Sequence, residues 1–320
     1  MGYRCVTALA ELRAYLSGAS PVAFDLETAP DENYRDEERA ALDAHKSHVV
    51  GISFSVAENS GVYIPLTHRI GRNAETPTEL WQWLMDTFFL NPHVIKVAHN
   101  LSFESMFLYA RGIVVQAPVY DTIAASQMTL KSNTAFRTLG DSGLKTLVPE
   151  LLGAALPSFG EVTEGRAFDE LDPQDAETIR YACADSDYAL RLYHLFNGWF
   201  DRYLPKHRFI VEQIESPTAV YAGVMKYNGL LVDEALMLQK KIDAEERLSK
   251  IREDIAFIIG DVNIGANAST AAFKKYLYDD LKLPVFKTTA KFQEAMDDEA
   301  LVLLTEWCQK NKPEYVQLFK

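Results

Sequence analysis

Cysteine is scarce in this chain: Cys5, Cys183 and Cys308 are the three in 320 residues. An odd number, far apart and with no Cys-x-x-Cys pair, excludes a disulfide framework and a thiolate zinc site. The compartment this implies is a reducing cytoplasm. Long apolar runs are missing as well, and the first residues lack a signal-peptide pattern, so no membrane partner is expected. Basic charge is also in short supply, with a net charge of −13. That balance argues against a general nucleic-acid binder, which is usually basic. Most of the acid excess sits in residues 1–205, either as an acidic surface or as part of a metal site. A nucleic-acid substrate would have to be held by metals and local contacts against net repulsion. There is no internal repeat and no low-complexity tract. What remains is an ordinary globular composition, 48% hydrophobic and 24% charged, long enough for two domains.

The chain is organised around Pro21-Val22-Ala23-Phe24-Asp25-Leu26-Glu27-Thr28, which reads as a buried strand. Side chains alternate along a strand, so Val22, Phe24 and Leu26 face one way and Ala23, Asp25 and Glu27 the other. Two acids on one face repel each other and resist burial. A hard divalent cation with a preference for oxygen ligands would neutralise them. Taken alone, Asp-x-Glu is common, and a solvated strand end is its plainer reading.

Around that strand the pattern predicts an α/β layer. Residues 6–16 read as a helix. Residues 31–47 are charged and read as an insertion or surface helix; Asp36 stands where a calcium loop needs glycine. Val49–Val56 and Gly61–Leu66 form a hairpin. Thr76-Pro77-Thr78-Glu79 opens a helix with a capping box. Val94–Ala98 and Ala117–Tyr120 are further strands, each followed by a helix, over Leu101–Ala110 and from Asp121 to about Leu130. A short helix follows near Leu144–Leu152, in an otherwise irregular stretch. Asp172-Pro173 then caps a long helix reaching about Asn197. Three strands in a meander and two joined through helices give a mixed five-stranded sheet flanked by helices. Pro205 marks a boundary between residues 1–205 and a smaller, mostly helical domain over 206–320.

Further acids fall at ends of these elements. Glu104 lies in His99-Asn100-Leu101-Ser102-Phe103-Glu104, and Asp121 starts a helix. Tyr181 and Asp185 stand four apart on the long helix and so share a face. The small residues between them, Ala182-Cys183-Ala184, let that helix approach the sheet closely. Each has a plain structural alternative: solvated acid, N-cap, core aromatic or surface charge.

Together, Asp-x-Glu on the first strand, Asn-x-x-Phe-acid after the fourth and Tyr-x-x-x-Asp on a late helix resemble the DEDDy 3′–5′ exonucleases. The proofreading domain of family A, polymerase-I-like DNA polymerases is the nearest match. Ile214-Glu215-Ser216-Pro217, Asn228 to Asp233 and Asn263-Ile264-Gly265 through Lys287-Thr288-Thr289 resemble the start of that family's thumb region. This favours a polymerase origin over an RNase-D-like RNA exonuclease. The family's palm and fingers, with the polymerising site, have no counterpart in these 320 residues. The insertions suggest a phage source, and hence a host cytoplasm.

The resemblance implies an RNase-H-like fold and two divalent cations, Mg²⁺ or Mn²⁺, with Asp25, Glu27, Glu104 and Asp185 as ligands. It implies Asp25 bridging both ions, Glu27 and Asp185 on the tighter one, and Glu104 acting through water on the second. Tyr181 orients the attacking water, and the product is a nucleoside 5′-monophosphate from a DNA 3′ end. Thr28, Asn100 and Phe103 are the substrate contacts implied, with Phe103 as a stacking platform for the terminal base. The expected partners are a DNA 3′ end, single-stranded or frayed, and a polymerase part on the same or another chain. Glu104 departs from the family's usual Asp, adding a methylene. That leaves a catalytically weak DNA- or partner-binding subunit as the alternative from a different class.

Overall fold

Strand β2 (Val22–Pro30) lies third from one edge of a six-stranded sheet. The computed structural model describes residues 2–130, 141–260, 262–263, 270–289 and 292–319. The spatial order is β1-β4-β3-β2-β5-β6, with β1 at Tyr3–Cys5, β3 at Ser47–Ala57, β4 at Ser60–Pro65, β5 at Lys96–Ala98 and β6 at Val119–Asp121. The β2-β3-β4 meander is antiparallel, while β5 and β6 add in parallel beside β2. This is the mixed α/β sheet the sequence predicts, with one strand more. The extra strand, Tyr3-Arg4-Cys5, pairs in parallel with Gly61-Val62-Tyr63. At three residues it is too short to show an alternating pattern, so its pairing is a tertiary effect. The helix read from residue 6 begins at Leu9 instead, as α1 (Leu9–Leu16).

The two faces of β2 are covered differently, as alternation requires. Val22, Phe24 and Leu26 enter one core cluster, where the Phe24 ring meets Phe88 and Phe89 edge-on at 5.6 and 5.4 Å. These phenylalanines follow α2 (Pro77–Leu84). Pro77 occupies the first turn of α2, but Thr76 makes no side-chain cap bond, so the predicted capping box is absent there. The other face of β2 lies under α7 (Ala176–Tyr203), a 28-residue helix. Its N-cap is Asp175, whose carboxylate accepts from the N–H groups of Glu177 and Thr178, three residues later than the predicted Asp172. Ala182, Cys183 and Ala184 are buried against the sheet. A Cβ added at Gly61 would lie 2.8 Å from Cys183 Cβ, so small residues on both sides set the spacing.

Helix α3 (Leu101–Ala110) follows β5, and α4 (Thr122–Leu130) follows β6. Helix α5 (Leu144–Leu152) forms where expected; the part of the predicted irregular stretch over 131–140 lies outside the described residues. Helix α6 (Phe159–Thr163) carries a capping box at Ser158 and Glu161 that was not anticipated. The insertion at 31–46 holds two short 3₁₀ turns in place of a helix.

The predicted boundary at 205/206 falls too early. The chain divides into compact units at Gly229/Leu230. Helices α8 (Pro205–Ile210) and α9 (Ser216–Asn228) belong with the sheet. The reason is close packing of α9 on α3. A Cβ on Gly223 would lie 2.5 Å from the Ser102 carbonyl oxygen, and Ser216 Oγ accepts from Asp121 N–H at 2.9 Å. The second unit, Leu230–Lys320, holds α10 (Glu234–Ile259), α11 (Ala271–Lys275) and α12 (Asp298–Asn311). Its small core gathers Ile259, Phe273, Leu277, Leu304 and Cys308. Helix α10 leaves Leu236, Met237, Leu238 and Phe257 exposed. The segment Ile264–Gly265 of the predicted thumb pattern lies outside the described residues.

Candidate active site

The site is assembled from three elements. Strand β2 supplies Asp25 and Glu27, paired opposite Ser53 and Gly51 of β3. Gly51 is required there, because a Cβ would fall 2.1 Å from the Tyr63 hydroxyl. The β2–β3 register shifts between Glu27 and Thr28, so the strand is irregular directly after its second acid.

Helix α3 supplies Glu104, which is 2% exposed. The turn that launches this helix is fixed by Asp121 at the end of β6. Its carboxylate accepts from the N–H groups of Asn100 and Leu101, both at 3.1 Å, and of Ile123 at 2.9 Å. Asn100 has a left-handed backbone, φ 75°, which an asparagine tolerates better than most residues. From that start Glu104 points back to β2, and its Oε2 accepts from Leu26 N–H at 3.1 Å.

Helix α7 supplies Tyr181 and Asp185. Tyr181 packs against the rings of Phe159 and Phe168, 6.2 and 5.8 Å away, and is largely buried. Asp185 Oδ1 accepts from Lys145 Nζ of α5 at 3.0 Å. The Lys145 ammonium also sits 4.6 Å from the centre of the Tyr181 ring.

The electrostatics tie these residues into one group. Burial pushes the Asp25 carboxyl well above its ordinary range, and the charge of Asp185 pushes it further. Glu27 is raised in the same sense by burial and by Asp25 and Asp185, and Glu104 by burial and by Asp25 and Glu27. Asp185 is raised by burial, with Lys145 opposing. Burial and the charges of Glu27, Asp185 and Asp25 raise the Tyr181 phenol, so it stays neutral and acts as a hydrogen-bonding group rather than a phenolate. Carboxylates that share a site in this way, with Asp25 and Glu27 in repulsive contact with the others, are oxygen donors of the kind hard cations take. Glu27 Oε1 is buried and makes no hydrogen bond, which leaves a ligand oxygen in waiting. As placed, no three acidic, imidazole or thiol groups among the described residues stand close enough to share one ion. Two of the four acids are engaged elsewhere, Glu104 with Leu26 N–H and Asp185 with Lys145. The oxygen chemistry of the donor set fits divalent cations, and holding one requires Glu104 and Asp185 to release or share these partners.

The remaining candidates are placed less directly. Thr28 is buried, and its Oγ1 donates to the Ala41 carbonyl at 2.7 Å, so its hydroxyl anchors the insertion. Asn100 Oδ1 accepts from Ser102 Oγ at 3.0 Å. Phe103 is half-buried, its ring 4.9 Å from Phe107. Two residues now seen at the site went unassigned in the sequence. Asp121 was legible as an acid at a helix start, but its grip on the Asn100 turn was not. Lys145, a single lysine on a short helix, carries no sequence signal.

The family model for a 3′–5′ exonuclease matches residues 3–198, a span that includes Asp25, Glu27, Glu104, Tyr181 and Asp185. This chain belongs to the 3′–5′ exonuclease family of family A DNA polymerases. Members of this exonuclease family are metal-dependent. The chain is 26% identical over 299 residues to DNA polymerase I of Pseudomonas aeruginosa, covering 91% of itself and 30% of that protein. It is 27% identical over 258 residues to DNA polymerase I of Chloroflexus aurantiacus, covering 79% and 25%. The exonuclease chain thus spans less than a third of the length of these relatives. Among solved structures, the POL domain of Pol1 from M. smegmatis, in complex with DNA primer-template and dNTP, matches with a TM-score of 0.68 at 15% identity, over 99% of this chain and 47% of that one. RNase D of Trypanosoma brucei matches with a TM-score of 0.52 at 16% identity, over 69% and 72%. These likenesses support the exonuclease fold. No helix among the described residues is long and apolar enough to cross a membrane.

Proposed function

We propose that this chain hydrolyses the terminal phosphodiester at a DNA 3′ end and releases a nucleoside 5′-monophosphate. The observation that carries this reading is the convergence of Asp25, Glu27, Glu104 and Asp185, from three elements, beside a neutral Tyr181. Asp25, Glu27 and Asp185, with Glu104 acting through water, are the residues that would hold two Mg²⁺ or Mn²⁺ ions. Bound there, the ions would supply an activated water and stabilise charge on the leaving 3′ oxygen.

The chain's own groups carry the rest. Glu27 would help to orient the attacking water, whose proton passes to solvent. Tyr181 orients that water through its phenol. As the water oxygen bonds to phosphorus, the bond from phosphorus to the 3′ oxygen breaks, and a proton from solvent completes the shortened strand. Phe103 is half-buried against the core, and the part of its ring left accessible would stack on the terminal base, a contact that tolerates any base. The second unit is proposed as the start of a thumb, acting with a polymerase part of the kind its relatives contain.

The test is degradation of a 5′-labelled single-stranded DNA, with Mg²⁺, with EDTA and with Asp25→Ala, and an RNA strand of the same sequence in parallel. A ladder shortening from the 3′ end, lost with EDTA and in the variant, supports the reading. Faster loss of the RNA would move the substrate to the RNase-D-like class. No cleavage with either Mg²⁺ or Mn²⁺ would favour a binding subunit.

A further inference from the structure

Lys145 faces the carboxylates from α5, and the proposed hydrolysis gives it no task. Its Nζ is 3.0 Å from Asp185 Oδ1. Its charge opposes the upward shift of Asp25, Glu27 and Asp185 alike. Among the described residues it is the basic side chain that contacts this group. Building on the two-cation reading, we propose that Lys145 is an internal counter-cation. It occupies the Asp185 corner of the site before divalent ions bind, and loading requires its displacement from Asp185.

Three observations support this. First, an ammonium donating to Asp185 Oδ1 takes up an oxygen that an ion would need, and the four acids in this arrangement do not close around an ion. A divalent ion on Asp185 would also bring like charges to within a few ångströms of each other, so the two cations compete for one carboxylate. Second, Lys145 can leave cheaply. Its side chain is 41% exposed, against 16% for Asp185, so the ammonium can swing to water on a flexible stem. Third, the ammonium already rests 4.6 Å from the centre of the Tyr181 ring, a contact that attracts a cation independently of Asp185. Without the lysine, four acids, Glu27 and Glu104 buried and Asp25 and Asp185 part-buried, would share the site unneutralised. With it, the ion-free site is partly balanced, and the cation concentration needed for loading is set higher.

The experiment measures Mn²⁺ binding to the full chain without DNA, by calorimetry and by the paramagnetic resonance signal of free Mn²⁺. It compares the wild type with Lys145→Met, Lys145→Arg and Asp25→Asn. Lys145→Met, which keeps the length and apolar stem, is expected to bind Mn²⁺ about tenfold more tightly, because one competing charge is gone. Lys145→Arg keeps the charge and is expected to stay within about twofold of wild type. Unchanged or weaker binding by Lys145→Met, with binding intact in wild type and lost in Asp25→Asn, overturns the counter-cation. Absence of Mn²⁺ binding from wild type and Asp25→Asn alike removes the metal reading itself, and the proposal with it.

Discussion

Glu104 reaches from α3 to β2 and accepts a hydrogen bond from the N–H of Leu26, 3.1 Å away, and Leu26 is the residue between Asp25 and Glu27. The departure from the family's usual Asp therefore has a structural use: the extra methylene carries the carboxylate to the strand backbone. The same burial raises its proton affinity, so the charged side chain destabilises the ion-free fold. Glu104→Gln keeps an acceptor for Leu26 N–H and removes the charge. The expected outcome is a higher Tm in EDTA, by a few degrees, with nucleotide release slowed by about 100-fold or more. Melting curves and a gel assay on one preparation check both; a lower Tm would contradict the electrostatic account.

A pH dependence follows from the same group. Asp25, Glu27 and Glu104 bind protons more tightly in the fold than in the unfolded chain. Asp121 shares the sign, pushed up to about 6 by burial. For groups raised in this way, stability is fully present below the unfolded values near pH 4 and is lost as pH rises through the folded values. In EDTA, the Tm of wild type should fall relative to that of Asp25→Asn as pH goes from about 4 to about 8. Saturating Mg²⁺ should remove most of the gap, because a bound cation stabilises the folded state. A gap that stays constant across this range would show that the Asp25 carboxyl is not held above its ordinary value.

How much of this was legible beforehand depended on the range of the forces involved. The acids on β2 were legible because strand alternation is local, and Val22, Phe24 and Leu26 do enter the core opposite them. The spacing of Tyr181 and Asp185 was legible for the same reason on a helix. Strand β1 was not, because three residues carry no period and the pairing with Gly61–Tyr63 is decided across the fold. The domain boundary was misjudged because Pro205 breaks the helix but not the packing; Gly223, far along the chain, welds α9 to α3. Thr28 was implied as a substrate contact by the resemblance; that its hydroxyl donates to the Ala41 carbonyl was not legible, because the contact depends on how the insertion folds.

That weld can be tested. An alanine Cβ at Gly223 would lie 2.5 Å from the Ser102 carbonyl oxygen and 2.8 Å from Met106 N, backbone atoms that cannot rotate aside. Gly223→Ala should cost about 1–3 kcal/mol by overpacking. It should also slow nucleotide release more than the stability loss explains, because α3 carries Glu104. Gly198→Ala is the control. Nothing lies within 4 Å of its added Cβ on α7, so helix propensity should make it neutral or stabilising, by up to about 1 kcal/mol. Denaturant midpoints of the two variants decide; equal midpoints would mean that α9 can move away from α3 at little cost.

The insertion offers a last test. Asp169, 2% exposed, follows Phe168 in the turn before α7 and accepts from Arg35 of the insertion, with Nη1 at 3.2 Å from Oδ1. It also accepts from Arg69 Nε at 3.0 Å. Burial alone would raise the Asp169 carboxyl, but the two guanidinium groups outweigh it and hold it below the usual range. A buried charge held by two partners is costly to break from one side, so Asp169→Ala should lose about 3 kcal/mol. The loss should be local first. With Asp169 gone, the insertion keeps the Thr28–Ala41 bond and the His45 ring stacked 4.2 Å from Tyr227, while its Arg35 end falls back on more exposed pairings, Arg35 with Glu170 at 3.8 Å and Glu32 with Arg69. Limited proteolysis should therefore cut within residues 31–40 before the rest of the first unit opens. Adding Arg35→Met to Asp169→Ala should restore part of the stability, since much of the penalty is a largely buried guanidinium that has lost its buried carboxylate and keeps the more exposed Glu32 and Glu170. Cleavage that begins elsewhere, or no recovery in the double variant, would show that the insertion is held mainly by its contacts to Thr28, Tyr227, Glu170 and Arg69.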